Sequence, residues 1–348
     1  WLAKGAFTAE LALFQWSKLP TPAQCSMALV ARLLHLKMAQ LCALMRVAHS
    51  MFLLQLPKYF HTINYSNCYI KHQYCISIFL LGNKISWTYY WLPSYLLLSV
   101  EPIFYEDNAE DFYKRLNADD KLIASTSQAS TGEMLEVYEA MKAKGYEEIL
   151  MISISQKLSG TYENAMLAAK MMDDYKVTVF NSLTLSYPQA KMALDAAKMA
   201  KEGKSLEEII EHIEYIRDNH SIWFAVDTLK YLVANGRLSG ASGFVGGLLK
   251  LKPLLQVTKD GKVESIEKIR TTQKAANRVI EKFLEATEGL DVEPFIIHSH
   301  APDRVELARK AVMDVRPEIK EIKAYPLTPV VGAHAGPNIV AMGYIINR

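Results

Sequence analysis

Residues 101–348 predict an α/β fold of two lobes, a first lobe on a parallel sheet between helices and a second lobe with a mixed sheet. Three observations carry this. Short runs rich in β-branched and aromatic residues alternate with amphipathic stretches of helical length, the pattern of βαβ units. Asp260-Gly261 sits between two apolar runs and signals a hairpin, so the second lobe gains an antiparallel pair. Of 348 residues half are hydrophobic and 22% are charged, which suits about two domains and argues against wholesale disorder and a coiled coil.

The elements follow in order. A short helix covers Asp107 to Leu116, and Ser125 to Ser130 reads as a loop. The next helix carries Met134, Leu135, Tyr138 and Met141 on one face and ends near Gly145. Glu147 to Ser155 is a strand, and Ser159-Gly160-Thr161 opens a helix whose stripe is Tyr162, Ala165, Met166, Ala169 and Met172. Lys176 to Asn181 is a strand, and Ser182 turns into an Ala-rich helix over 187–202. Ser205-Leu206-Glu207-Glu208 is a capping box before a helix over 206–218. Ser221 to Asp227 is a strand, followed by two short helical stretches and a Gly-rich segment at 236–247. Leu254 to Thr258 and Val263 to Ile269 form the hairpin. A helix at 272–286, a strand at 294–299, a helix at 302–314 and a strand at 321–326 come next, and Gly332 to Asn338 precedes a last helix. A boundary near 218–221 divides this into lobes at 101–219 and 220–348.

Residues 1–100 differ in kind. They hold eight Lys or Arg and one acid, Glu10, along with all four cysteines (Cys25, Cys42, Cys68 and Cys75) and four of the five Trp. The rest of the chain holds 31 bases and 36 acids. The longest uncharged run, Ile85 to Val100, has 16 residues and contains Pro93, short for a spanning helix. The cysteines, spaced by 17, 26 and 7, match no zinc pattern, and four are too few for a disulfide scaffold. Helix and strand signals are poor here. The region is left unassigned, with no function placed there; an erroneous reading frame or a misassigned sequence is one reading of the split. Whole-chain net charge is +2, so a basic nucleic-acid binder is not expected.

In open α/β sheets ligands bind beyond the carboxyl ends of strands. Four polar clusters stand there: Thr126-Ser127-Gln128, Ser155 to Thr161, Asn181-Ser182, and Gly332 to Asn338. Hydroxyls and free N–H groups at helix starts favour an anionic group, although each Ser or Thr alone is ordinarily just a cap. Ser159 with His334 suggests a Ser/His hydrolase, but Gln156-Lys157-Leu158-Ser159-Gly160 lacks the first Gly of G-x-S-x-G. No P-loop occurs, and the glycines at 240, 243 and 246 suit close packing better than a dinucleotide turn. His298, His300 and Asp303, with His334, would be the start of a metal site; an ordinary strand end is the simpler reading.

The motifs Thr126-Ser127-Gln128-Ala129-Ser130, Leu158-Ser159-Gly160-Thr161-Tyr162, Gly236-Arg237-Leu238-Ser239, Lys252-Pro253 and His334-Ala335-Gly336-Pro337 resemble, in order and spacing, those of the DegV family. The resemblance covers about 101–348. It implies a cytoplasmic two-lobed α/β protein that binds one long-chain fatty acid between its lobes. It also implies that the acid's carboxylate is presented to a fatty acid kinase, which makes an acyl phosphate for phospholipid synthesis, and that the carrier is not itself an enzyme and needs no cofactor. By the same resemblance Thr126, Ser127, Ser159, Arg270 and His334 hold the carboxylate, and Arg237 docks the partner. Met134, Met166, Phe224, Phe244, Leu248 and Leu249 are candidates for the tunnel wall. The chain departs from the family at Gln156 and Ala129, where Ser and Pro are common. The family's opening strand and Asp-Ser or Asp-Thr turn are not found.

Overall fold

The computed structural model describes residues 76–81, 95–98, 101–103, 109–240 and 251–348. The four cysteines, Phe244, Leu248, Leu249, the glycines at 243 and 246, and most of the 72–100 stretch lie outside the described residues. The chain divides between Thr62 and Ile63, and everything described belongs to the second unit, Ile63–Arg348.

The first lobe is built around β5 (Glu148–Ser153). Its run of Ile149, Leu150, Met151 and Ile152 is fully buried on both faces, as a strand covered by helices on each side must be. Side chains alternate across the strand. Ile149 and Met151 pack with Met134, Tyr138 and Met141 of α2 (Thr131–Ala143) and Ala165 and Ala168 of α3 (Thr161–Lys170). Leu150 and Ile152 pack on the other side with Met192 and Ala196 of α4 (Ser186–Lys201) and Ile209 and Ile213 of α5 (Leu206–Asp218). β6 (Lys176–Asn181) lies parallel to β5. The far edge of β5 is taken by β1 (Ile76–Leu81), which runs antiparallel; residues before 101 thus complete this sheet. The capping box at Ser205 and Glu208 closes as read from sequence, and a second one joins Ser130 and Glu133.

Thr126 and Ser127 lie in a short strand rather than a loop. β4 (Ala124–Ser127) pairs with β2 (Tyr95–Leu98), which also pairs with β3 (Glu101–Ile103). The polar Ser-Thr-Ser composition hides the strand, because its backbone pairing and not an apolar alternation defines it. The helix before it is α1 (Ala109–Ala118).

The second lobe is a six-stranded sheet in the order β11-β10-β12-β7-β8-β9. It comprises β7 (His220–Ala225), β8 (Leu254–Val257), β9 (Val263–Glu267), β10 (Val292–His298), β11 (Lys323–Pro326) and β12 (Val340–Ile346). Only the β10–β11 pair is parallel. One face, with Trp223, Ile296 and Met342, packs with Val279 and Phe283 of α7 (Thr272–Thr287) and Val305 and Val312 of α8 (Pro302–Val315). The opposite face, with Ile222, Phe224, Phe295 and Ile297, shares a core with α4 and α5. The short α6 (Lys230–Ala234) follows β7.

The hairpin is closed by the Thr258 N–H donating to Lys262 O at 2.8 Å, with Gly261 in the left-handed region at φ 82°. A Cβ there would stand 2.1 Å from Ser155 Oγ and 3.0 Å from the Leu183 backbone. Ser155, fully buried, donates to Gly261 O at 2.8 Å. The hairpin tip is thereby clipped to the end of the first lobe's sheet.

One expectation is corrected. No helix follows Asn338. The last helix, α9 (Pro329–Ala335), contains His334, and β12 comes after it. Gly336 ends the helix at φ 89°. β12 is paired on both edges and largely buried, so its apolar run carries no alternation to announce a strand.

Candidate functional site

The loop after β5, the end of β4, the segment after α6, and α9 all converge on one cavity of about 940 Å³, including the part open to solvent. Its polar lining is Thr126, Ser127, Gln128, Ser159, Arg237 and His334, with Ser186. The remaining lining is aliphatic and aromatic, including Ile222, Phe224, Ile297, Leu327 and Ala341 from the sheet and neighbouring loops.

Thr126 Oγ1 and His334 Nε2 are 2.7 Å apart. Three packing features set this distance. The Asn235 amide donates to Ala124 O at 3.1 Å, two residues before Thr126, and to Ala333 O at 3.2 Å, the residue before His334. It also donates to Tyr231 O at 3.1 Å in α6. Tyr113 of α1 lies against Gly332, where a Cβ would fall 2.2 Å from its hydroxyl, and that hydroxyl donates to Leu327 O at 2.9 Å. Beyond the helix, Gly336 accepts the close approach of the Tyr231 ring, 2.5 Å from where its Cβ would be. Asn235 and Tyr113 were not singled out from sequence. Asn235 immediately precedes the Gly236-Arg237-Leu238-Ser239 motif, but nothing in a sequence reveals that one amide spans three carbonyls.

His334 is largely buried, and burial together with the Arg237 guanidinium lowers its pKa to about 4. The ring is neutral at pH 7. Its Nδ1 has no hydrogen-bond partner among the described residues, so whichever tautomer is present leaves one ring nitrogen unmet inside the site. A buried polar atom without a partner is costly and calls for an explanation in function. The Ser159 hydroxyl is 2.8 Å from Thr161 Oγ1 and accepts from the Thr161 N–H at 3.3 Å. It therefore also serves the start of α3.

Arg237 lines the cavity itself. Its Nε donates to Leu158 O at 3.2 Å and its Nη1 to Asn235 O at 2.5 Å. Arg270 is exposed and is not part of the lining. The structure thus gathers Thr126, Ser127, Ser159, Arg237 and His334 and leaves Arg270 outside. Of the tunnel-wall candidates, Phe224 lines the cavity, whereas Met134 is a core residue beneath α2 and Met166 is half-buried on α3, away from the lining. Among the described residues no group of three or more His, Cys, Asp or Glu is arranged to hold a metal, and no helix is long and apolar enough to cross a membrane. His298 is buried enough to lower its pKa, and its Nδ1 also lacks a partner among the described residues, but it is not among the cavity lining.

A family model described as "Uncharacterised protein, DegV family" matches residues 100–347. A DegV domain-containing protein of Halalkalibacterium halodurans is 33% identical over 246 residues, covering 70% of this chain and 85% of that one. Among solved structures, a fatty acid-binding DegV family protein from Thermus thermophilus superposes with a TM-score of 0.65 at 29% identity, covering 74% of this chain and 91% of that one. DegV of Bacillus subtilis, described as a fatty acid binding protein, superposes with a TM-score of 0.61 at 31% identity over 74% of this chain and 91% of its own.

Proposed function

The chain belongs to the DegV family, and from that premise we propose that it is a cytoplasmic carrier that binds one long-chain fatty acid in the cavity and presents its carboxylate to a fatty acid kinase. The observation that carries this is the Thr126–His334 pair at the polar end of an otherwise apolar cavity. A carboxylate there meets hydroxyls from Thr126, Ser127 and Ser159, and the unmet capacity of His334 supports a ligand atom nearby. Arg237 is the cation of this group in our reading, in place of Arg270, because it faces the same space and its charge is felt at His334.

The energetics suit a fatty acid. Burying about 14 methylenes at roughly 0.8 kcal/mol each offers on the order of 11 kcal/mol before the costs of association. A desolvated carboxylate would cancel much of this unless it were hydrogen-bonded and paired. Hydroxyls, a neutral imidazole and one guanidinium supply those partners without stacking several cations in a small space. The phosphoryl transfer that makes the acyl phosphate belongs to the kinase, and this chain holds the acid.

A Ser/His hydrolase is the competing reading. It needs the Ser159 hydroxyl on His334 and an acid behind the imidazole. Instead the Ser159 hydroxyl pairs with Thr161, His334 Nε2 pairs with Thr126, and Nδ1 meets no carboxylate among the described residues.

Mass spectrometry of the untreated purified protein, native and then after organic extraction, tests the carrier. One fatty acid per chain is expected. A protein that arrives empty and takes up no added fatty acid overturns the reading.

A further inference from the structure

The sheet face that lines the cavity is ordered in rows, and the rows run away from the polar group. Nearest α9 stand Leu327 and Ile339; the next row is Phe224, Ala341 and Ile297, mutual register partners; the third is Val257, Ile222, Gly343 and Phe295. Successive rows are about 7 Å apart. In the third row Val257 and Ile222 line the cavity, but Phe295 does not, and it is fully buried. Gly343 has no side chain to fill its place. The Phe295 ring lies over it, with Cζ 2.3 Å from where a Cβ would be. From the first lobe Tyr187 covers the ring at a centroid distance of 4.9 Å and stacks on Tyr325 at 4.3 Å. Beneath this row on the same face stands Ile345, buried in the same core, with His220 and Glu293 as its register partners on either side. His220 is bonded to Thr184 at 2.9 Å, and Glu293 accepts from the Tyr187 hydroxyl.

We propose that Phe295 is the stop that sets how long an alkyl chain the cavity accepts. Its ring occupies the space over Gly343, beside Ile222, into which an apolar chain would otherwise continue. The row below is already filled by the buried Ile345, flanked by His220 and Glu293, and gives such a chain nowhere further to go. A smaller residue at 295 leaves a void, and because the ring abuts the cavity wall that void joins the existing space. This rests on the carrier reading above.

The test offers the full chain an equimolar series of straight-chain saturated fatty acids, lauric to behenic, and reads the bound species by native mass spectrometry. Phe295→Ala and the milder Phe295→Leu are compared with the unchanged protein after circular dichroism and thermal melting have established that each variant folds. The expected result is a bound distribution displaced toward longer acids, with each extra buried methylene worth about fourfold in affinity. Affinity for the shorter acids should not rise. A folded Phe295→Leu protein with the unchanged distribution overturns the proposal, since the chain then runs elsewhere in the cavity. If the unchanged protein binds none of the series, the carrier reading itself has failed, and the stop with it.

Discussion

Thr126 Oγ1 lies 2.7 Å from His334 Nε2 across a sequence separation of 208 residues. The pair is made by a strand end and a helix end that share no local sequence. Replacing Thr126 by Val keeps the shape and removes the hydroxyl, leaving both imidazole nitrogens unpaired. Such a loss costs about 1–3 kcal/mol. We expect oleate affinity to fall by roughly tenfold or more, measured by titration calorimetry. Affinity for methyl oleate, which carries no charge for the site to hold, should change far less.

Arg237 and Arg270 separate two models of the head-group site. Arg237→Met removes the guanidinium that lines the cavity, and oleate affinity should drop on the order of tenfold or more. Arg270→Met alters an exposed residue outside the lining and should leave affinity within about twofold. The reverse ranking would return Arg270 to the carboxylate.

Asn235 is a positioning residue for the same pair. Asn235→Leu withdraws one amide from three carbonyls, two of them beside Thr126 and His334. A stability loss of about 2–4 kcal/mol is expected in urea unfolding. In the folded variant, preference for oleate over methyl oleate should shrink. An unchanged preference would mean that the strand and helix keep their places without it.

Two histidines tie stability to pH. Burial lowers the pKa of His220 and of His334 from the usual 6.5 to about 4. A depressed folded-state value means that the fold favours the neutral ring. The stabilisation is therefore complete above about pH 6.5 and is lost as pH falls toward 4, with unfolding coupled to proton uptake. Unfolding free energies from urea titrations across this window should fall with pH, by roughly 3 kcal/mol for His220 alone. His220→Gln should flatten part of that slope. A bound carboxylate facing His334 favours the imidazolium, so fatty acid should move the His334 titration upward in an NMR experiment, and no shift on loading would separate the ring from the ligand.

Much of this architecture is legible in the sequence where local and tertiary signals agree. Lys176–Asn181 is a strand and Leu206–Asp218 a capped helix with the same bounds in both. β12 and α9 are not legible locally, because a strand buried on both faces has no alternation and a short helix built on Pro329 has little period. β4 is equally hidden, because a four-residue polar strand is defined by its partner. For the site, the motifs marked which segments matter but not the direction of any side chain. Arg237 and Arg270 look alike in sequence, and only packing decides that Arg237 turns to the cavity while Arg270 meets water.

The clip between Ser155 and Gly261 bears on how the molecule comes apart. A free β-hairpin is marginal in water, and this one holds its tip through a hydroxyl and a backbone that belong to the other sheet. The core on that side is also common to both lobes, since Leu150 and Ile213 join the same cluster as Phe224 and Phe295. Neither half possesses a complete interior of its own. The two lobes are therefore one cooperative folding unit: melting should show a single transition, and a chain cut near residue 219 should yield no fragment that folds alone.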